Sequence, residues 1–251
     1  MNKFLITGIP RSGTTALIKT LSKIDDVFMY SGDNNPFFEP FSLGNKTQYL
    51  NPYQLIEEAE SNCNSKYFGF KCFNELVIDI NKLNEHMNYK TFAIIRKDIW
   101  KSVFSHHIAK TKWFKENIDI FHSSSTLHAE KTIINNIKDL HPAEARNLKL
   151  SYFTRIKECY DFETQWKNID IIYFEDLIKP NASFDCLNEY FGQTITFNLN
   201  YDDSHDVEGY FSNWNLDVLR SLSKDVEATV SIPNDCPSYI KESMYKFIKK
   251  D

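Results

Sequence analysis

No apolar run in this chain approaches the roughly 18 residues that a membrane-spanning helix needs. No Pro/Gly/Ser-rich linker, internal repeat or low-complexity tract interrupts it, so its 251 residues are expected to form one domain, 1–251, around a single core. Excess positive charge is also missing. The formal net charge is −5, with 25% charged and 42% hydrophobic residues, which argues against a dedicated nucleic-acid binder and makes any anion site local. The five cysteines, Cys63, Cys72, Cys159, Cys186 and Cys236, are odd in number and lack CxxC spacing. They imply neither a disulfide framework nor a zinc site, and fit a reducing compartment. Met1-Asn2-Lys3 lead straight into an apolar strand, leaving no room for a signal peptide, so a cytoplasmic protein without a membrane span is expected.

What is present begins at that strand. Phe4-Leu5-Ile6-Thr7-Gly8 runs into Ile9-Pro10-Arg11-Ser12-Gly13-Thr14-Thr15, a small-residue loop that opens a helix. Such a junction turns consecutive backbone N–H groups onto an anion, adds the positive end of the helix, and offers the Ser12, Thr14 and Thr15 hydroxyls as donors. A Walker A loop would read Gly, four residues, then Gly-Lys-Ser/Thr. Gly8 and Gly13 keep the spacing, Thr14 takes the place of the lysine, and the cation stands inside the loop at Arg11.

Short apolar runs at Lys3–Gly8, Val27–Tyr30, Tyr67–Phe73, Thr91–Ile95 and Ile169–Phe174 read as buried parallel strands. Between them, Leu17, Leu21 and Ile24, then Trp100, Phe104 and Ile108, recur at helical spacing. A further helix is expected from about Tyr152 to Trp166, and Ile240, Met244, Phe247 and Ile248 mark a last one. The alternation predicts an α/β three-layer sandwich with a central, mainly parallel sheet. The stretches 110–150 and 192–237 read as the least regular, and are the expected walls of an acceptor pocket at the carboxyl ends of the strands.

A second chemical signal is Ile94-Ile95-Arg96-Lys97-Asp98-Ile99-Trp100-Lys101-Ser102-Val103-Phe104-Ser105. An arginine ends a strand, Asp98 can cap the next helix, and Asp98, Ser102 and Ser105 share one helical face. Between the two signals, Phe37-Phe38-Glu39-Pro40-Phe41 embeds a carboxylate among aromatics, a setting that favours a general base. A helix-capping or ion-paired role is the alternative for Glu39. Lys71, in Gly69-Phe70-Lys71-Cys72-Phe73, is either a catalytic cation or one that closes a structural ion pair.

Pro10-Arg11-Ser12-Gly13-Thr14-Thr15 after an N-terminal strand resembles the 5′-phosphosulfate loop of sulfotransferases that use 3′-phosphoadenosine 5′-phosphosulfate (PAPS), particularly the carbohydrate- and bacterial-type branch with Arg in place of Lys. The Arg96 segment resembles their 3′-phosphate motif in its Arg-Arg-Asp-Leu-Leu variant, which makes Ser105 the expected phosphate contact and Ser102 the alternative. Glu39, 28 residues beyond Arg11, resembles in its offset the catalytic glutamate of heparan-type enzymes. The Lys-x-His pattern of the cytosolic enzymes keeps Lys71 but has Phe73 at the histidine. Tyr173-Phe174-Glu175-Asp176-Leu177 is similar to a late family segment and is taken as a fold marker.

The resemblance covers about residues 3–180 and implies a P-loop-NTPase-like sulfotransferase fold. It implies PAPS as co-substrate, a catalytic set of Glu39, Arg11 and Lys71, no metal, and a small-molecule or carbohydrate acceptor. Two other classes remain open: a P-loop nucleotide kinase, which would need magnesium and an acidic strand that is not evident, and a non-catalytic nucleotide-binding module, which would not need Glu39. Histidines 106, 107, 122 and 128 do not have the spacing of a zinc helix. Tyr210, Phe211 and Trp214 are candidates for stacking on adenine or acceptor, or for core packing. Asn45-Lys46-Thr47 and Asn181-Ala182-Ser183 are formal glycosylation acceptors, without consequence inside a cell.

Overall fold

A computed structural model describes residues 1–32, 39–41, 51–73, 78–109, 139–166, 168–199, 216–224 and 235–248. Their elements, in chain order, are β1 (Asn2–Gly8), α1 (Thr14–Leu21), β2 (Val27–Tyr30), α2 (Pro52–Ser61), β3 (Tyr67–Lys71), α3 (Ile80–His86), β4 (Tyr89–Ile95), α4 (Ile99–Ala109), α5 (Pro142–Thr164), β5 (Ile169–Tyr173), α6 (Phe174–Leu177), α7 (Asp185–Phe191), α8 (Leu216–Leu222) and α9 (Ser238–Ile248). The chain divides into two compact units, Met1–Arg96 with Gln165–Leu199, and Lys97–Thr164 with Asn200–Asp251.

The first unit holds an all-parallel five-stranded sheet in the order β2-β3-β1-β4-β5. Continuous apolar strands suit this arrangement, because each parallel strand is covered on both faces. On one face Phe4 lies against Tyr190 and Phe191 of α7, with ring centroids 6.0 and 5.2 Å away. Gly69 is required opposite Phe4, since a Cβ there would sit 2.3 Å from the ring. Leu5, Phe68, Phe70 and Tyr89 point the other way, into a cluster with Ile56 of α2 and with Ile80 and Leu83 of α3. Helices therefore flank the sheet on both faces. Each large apolar side chain buried in this way contributes about 1.5–3 kcal/mol.

Strand β1 is central, with Leu5 in register with Phe70 of β3 on one side and with Thr91 of β4 on the other. The chain passes from β1 to the edge strand β2, returns inward to β3 beside β1, then crosses to β4 and β5 on the other side. Its winding reverses at β1, and the crevice at the carboxyl end of such a reversal is where open α/β sheets bind ligands. The loop that follows Gly8 starts there.

Strand boundaries follow the sequence reading closely, with β3 ending at Lys71 rather than Phe73. Helices α2, α3, α6 and α7 had no expectation attached. Asn51 caps α2 by accepting from Tyr53 N at 3.1 Å, with Pro52 at the first helical position. Asp79 caps α3 by accepting from Lys82 N at 3.2 Å. Helix α1 ends at Leu21, so Ile24, expected to continue it, lies in the following turn.

In the second unit, Asp98 caps α4 as expected, accepting from Lys101 N at 3.0 Å. Helix α5 is longer than expected, and residues 142–150 are helical rather than irregular. The cause is a reciprocal cap. His141 Nδ1 accepts from Ala143 N at 3.2 Å, Glu144 Oε2 accepts from His141 N at 3.2 Å, and Pro142 takes the first helical position. Along α5, Tyr152 stacks on Trp100 of α4 at 4.0 Å and donates its hydroxyl to Ser243 O of α9 at 3.0 Å. The stretch 192–237, also expected to be irregular, contains α8.

Candidate functional site

The loop after β1 is shaped by three backbone positions. Gly8 has φ +135° and lies so close to β4 that a Cβ would sit 2.1 Å from Ile94 O. Only glycine fits there. Ile9 N then donates to Ile94 O at 3.1 Å, tying the start of the loop to β4. Arg11 takes a left-handed conformation, φ 69°, which costs a non-glycine residue about 1–2 kcal/mol. Gly13, φ 85°, forms the N-cap of α1, and no side chain caps that end. The first-turn N–H groups thus stand at the junction where an anion is expected.

The hydroxyls divide. Ser12 is fully buried, and its Oγ lies 2.5 Å from Ile9 O and 3.0 Å from Ile94 O, so its single proton is engaged inside the fold. That corrects the expectation that the Ser12 hydroxyl donates to an anion; it fastens the loop to β4. Thr14 is also buried, in the position a Walker lysine would take. Thr15 is half-buried, and its Oγ1 accepts from Lys71 Nζ at 3.0 Å, leaving its own proton to donate. Pro10 is half-buried within the turn.

Lys71 is the last residue of β3, in register with Ile6 of β1 and on the same face as Phe4 and Gly69. Its side chain is 1% exposed, and its ammonium lies 2.6 Å from Glu39 Oε1, whose side chain is 23% exposed. The Phe73 ring lies 4.8 Å from the same nitrogen. Burial pushes Lys71 below the usual lysine range; Glu39 opposes this through charge and hydrogen bonding, and repulsion from Arg11 and Lys19 adds to the depression. Arg11 of the loop and Lys19 of α1 thus lie near enough to Lys71 to act on it through charge. Glu39, expected among aromatics, is set by the fold directly against a cation.

Arg96 follows β4 and is buried, with Cζ 4.6 Å from the centroid of the Phe174 ring. Phe174 is the first residue of α6 and borders the loop as well, since a Cβ added to Gly13 would lie 3.0 Å from its Cδ2. In the sequence this segment reads as a fold marker only. The available signal was an aromatic placed directly after the last strand. In the second unit, Ser102 is fully buried on α4 and Ser105 is half-buried.

Glu39, Lys71 and Thr15 are thus in contact, with Arg11 acting on Lys71 through charge. Tyr210, Phe211, Trp214, His122, His128, Phe37, Phe38 and the Asn45 sequon lie outside the described residues. Among the described residues, no three His, Cys, Asp or Glu side chains gather to hold a metal ion, and no helix is long and apolar enough to cross a membrane. The fold and loop define a parallel α/β protein with an arginine-bearing turn after its central strand, and a buried lysine at the end of β3 within range of that charge. No protein-family model matches the chain, and no curated protein matches its sequence.

Proposed function

We propose that the protein is a cytoplasmic sulfotransferase that moves a sulfuryl group from PAPS to a hydroxyl or amine of a carbohydrate or small-molecule acceptor. The observation that carries this reading is the contact chain Glu39–Lys71–Thr15 at the mouth of the loop. A carboxylate able to take a proton and an ammonium able to hold developing negative charge meet where the helix end favours an anion.

The donor set suits a phosphosulfate: Arg11, Lys71, the Thr15 hydroxyl and an uncapped helix start, all donors. When bound, PAPS supplies a sulfuryl group on a bridging phosphate oxygen, transferred in line to the acceptor. Glu39 takes the proton of the acceptor as its nucleophilic atom attacks. Lys71 and Arg11 hold the charge that grows on the leaving phosphate, and the amides that open α1 fix its orientation. Because Lys71 touches both the base and the loop, one ammonium connects the two ends of the transfer. Arg96, at the end of β4, reads the 3′-phosphate.

The test is a screen of PAPS consumption across carbohydrate, phenol, alcohol and amine acceptors, read by a sulfuryl mass increase in the product. With an acceptor in hand, Glu39→Gln is expected to lower kcat by roughly 10²- to 10⁴-fold while affinity for adenosine 3′,5′-bisphosphate stays within about twofold. A variant turning over at near wild-type rate would remove Glu39 from the base role.

A further inference from the structure

Phe174 is 5% exposed and follows β5 directly. Its ring meets two parts of the proposed nucleotide site at once. One face lies under the Arg96 guanidinium, 4.6 Å from Cζ to the centroid. Its Cδ2–Cε2 edge borders Gly13, where an added Cβ would come within 3.0 and 3.2 Å of those atoms. Leu177, at the other end of the same short helix, lies 3.3 Å from that point. Arg96 and Gly13 are far apart in sequence and belong to different strand-to-helix connections, yet one ring touches both.

An arginine side chain has several rotatable bonds, and its flat, weakly hydrated cation stacks well on an aromatic face. A ring beneath it restricts the plane of the guanidinium, and so the directions in which its N–H groups point. Contact with Gly13 fixes that ring against the start of α1. We infer that Phe174 is a positioning residue that holds Arg96 at a set distance from the loop, so that the site prefers nucleotides carrying both a 5′- and a 3′-phosphate. This rests on the reading of Arg96 as a 3′-phosphate contact.

The test measures, by calorimetry on the full chain, the dissociation constants of adenosine 3′,5′-bisphosphate and adenosine 5′-monophosphate, which differ only in the 3′-phosphate. Phe174→Leu keeps an apolar group beside Gly13 but removes the aromatic face; the bisphosphate is expected to bind roughly tenfold more weakly and the monophosphate almost unchanged. Phe174→Tyr keeps the face and should keep the preference. A purely structural role for Phe174 would lower the melting temperature of Phe174→Leu without changing the ratio of the two constants, and that result overturns the inference. If the wild-type protein binds both nucleotides equally, the 3′-phosphate reading itself fails and the positioning role falls with it. Should Phe174→Leu not fold, Phe174→Met takes its place. In the wild-type protein the Arg96 Nε–H resonance is expected to be displaced upfield by the ring, and an undisplaced resonance overturns the stacking.

Discussion

Replacing Glu39 by Gln removes the counter-charge of an ammonium that is 1% exposed, while keeping the size of the side chain and an oxygen that accepts a hydrogen bond. Removing one partner of a fully buried ion pair costs about 3–5 kcal/mol. Glu39 retains 23% exposure, so water screens part of that loss and a cost of about 2 kcal/mol is expected. For a chain of this size that is a fall in melting temperature of about 4–8 °C near neutral pH.

The pH dependence carries a sign. Lys71 has a folded-state pKa below its unfolded value, so between the two the unfolded chain binds the additional proton and stability rises with pH. Glu39 is what holds that folded pKa up against burial. Without it the depression deepens and the window reaches closer to neutral, each further pKa unit being about 1.4 kcal/mol. Thermal melts of both proteins at about pH 7 and about pH 9.5 should show Glu39→Gln recovering part of its deficit at the higher pH. Adding Lys71→Met to that variant, which replaces the stranded charge with an apolar chain of similar length, should recover stability at both pH values. A deficit that is absent at neutral pH, or that does not shrink as pH rises, would refute the pairing of these two groups.

Gly8→Ala places a methyl group 2.1 Å from Ile94 O at φ +135°, so it should cost about 3–5 kcal/mol; a loss of less than about 3 °C in a thermal melt would contradict the packing of β1 on β4. His141→Ala removes one half of the cap on α5 and should cost about 1 kcal/mol, a fall of about 2–4 °C; an unchanged melt would mean that the reciprocal cap does not hold the start of that helix.

Much of the sheet could be read from the chain because each strand is buried on both faces and so written as a continuous apolar run. Helices α2 and α3 were not, since only Ile56 of the first and Ile80 and Leu83 of the second are buried, too few to set up a period. Their caps, Asn51-Pro52 and Asp79, were the readable signal. The start of α5 was hidden likewise, because a histidine in the N-cap role lies outside the usual Ser, Thr, Asp and Asn set. At the site, the loop residues were legible as a group from local spacing. An ion pair was an alternative for Glu39 and for Lys71 separately, but that they pair with each other could not be read, because they come from separate strand ends that no local pattern links. Ser12 shows the limit from the other side: a hydroxyl in an anion loop reads as a ligand donor until the neighbouring strand presents a carbonyl to it.

The central claim, that this chain reads a nucleotide bearing a 3′-phosphate, is tested most directly by ligand-dependent melting without magnesium. A ligand that binds only the folded state stabilises it by about 2.7 kcal/mol at a hundredfold excess over Kd. Adenosine 3′,5′-bisphosphate should therefore raise Tm clearly, by about 5–10 °C at that excess, and ADP at the same concentration by much less. Arg96→Ala should remove most of that difference. If ADP with magnesium stabilises the protein as well as the bisphosphate does, or if Arg96→Ala leaves their ranking unchanged, the sulfotransferase account is contradicted and a phosphoryl-transfer function takes its place.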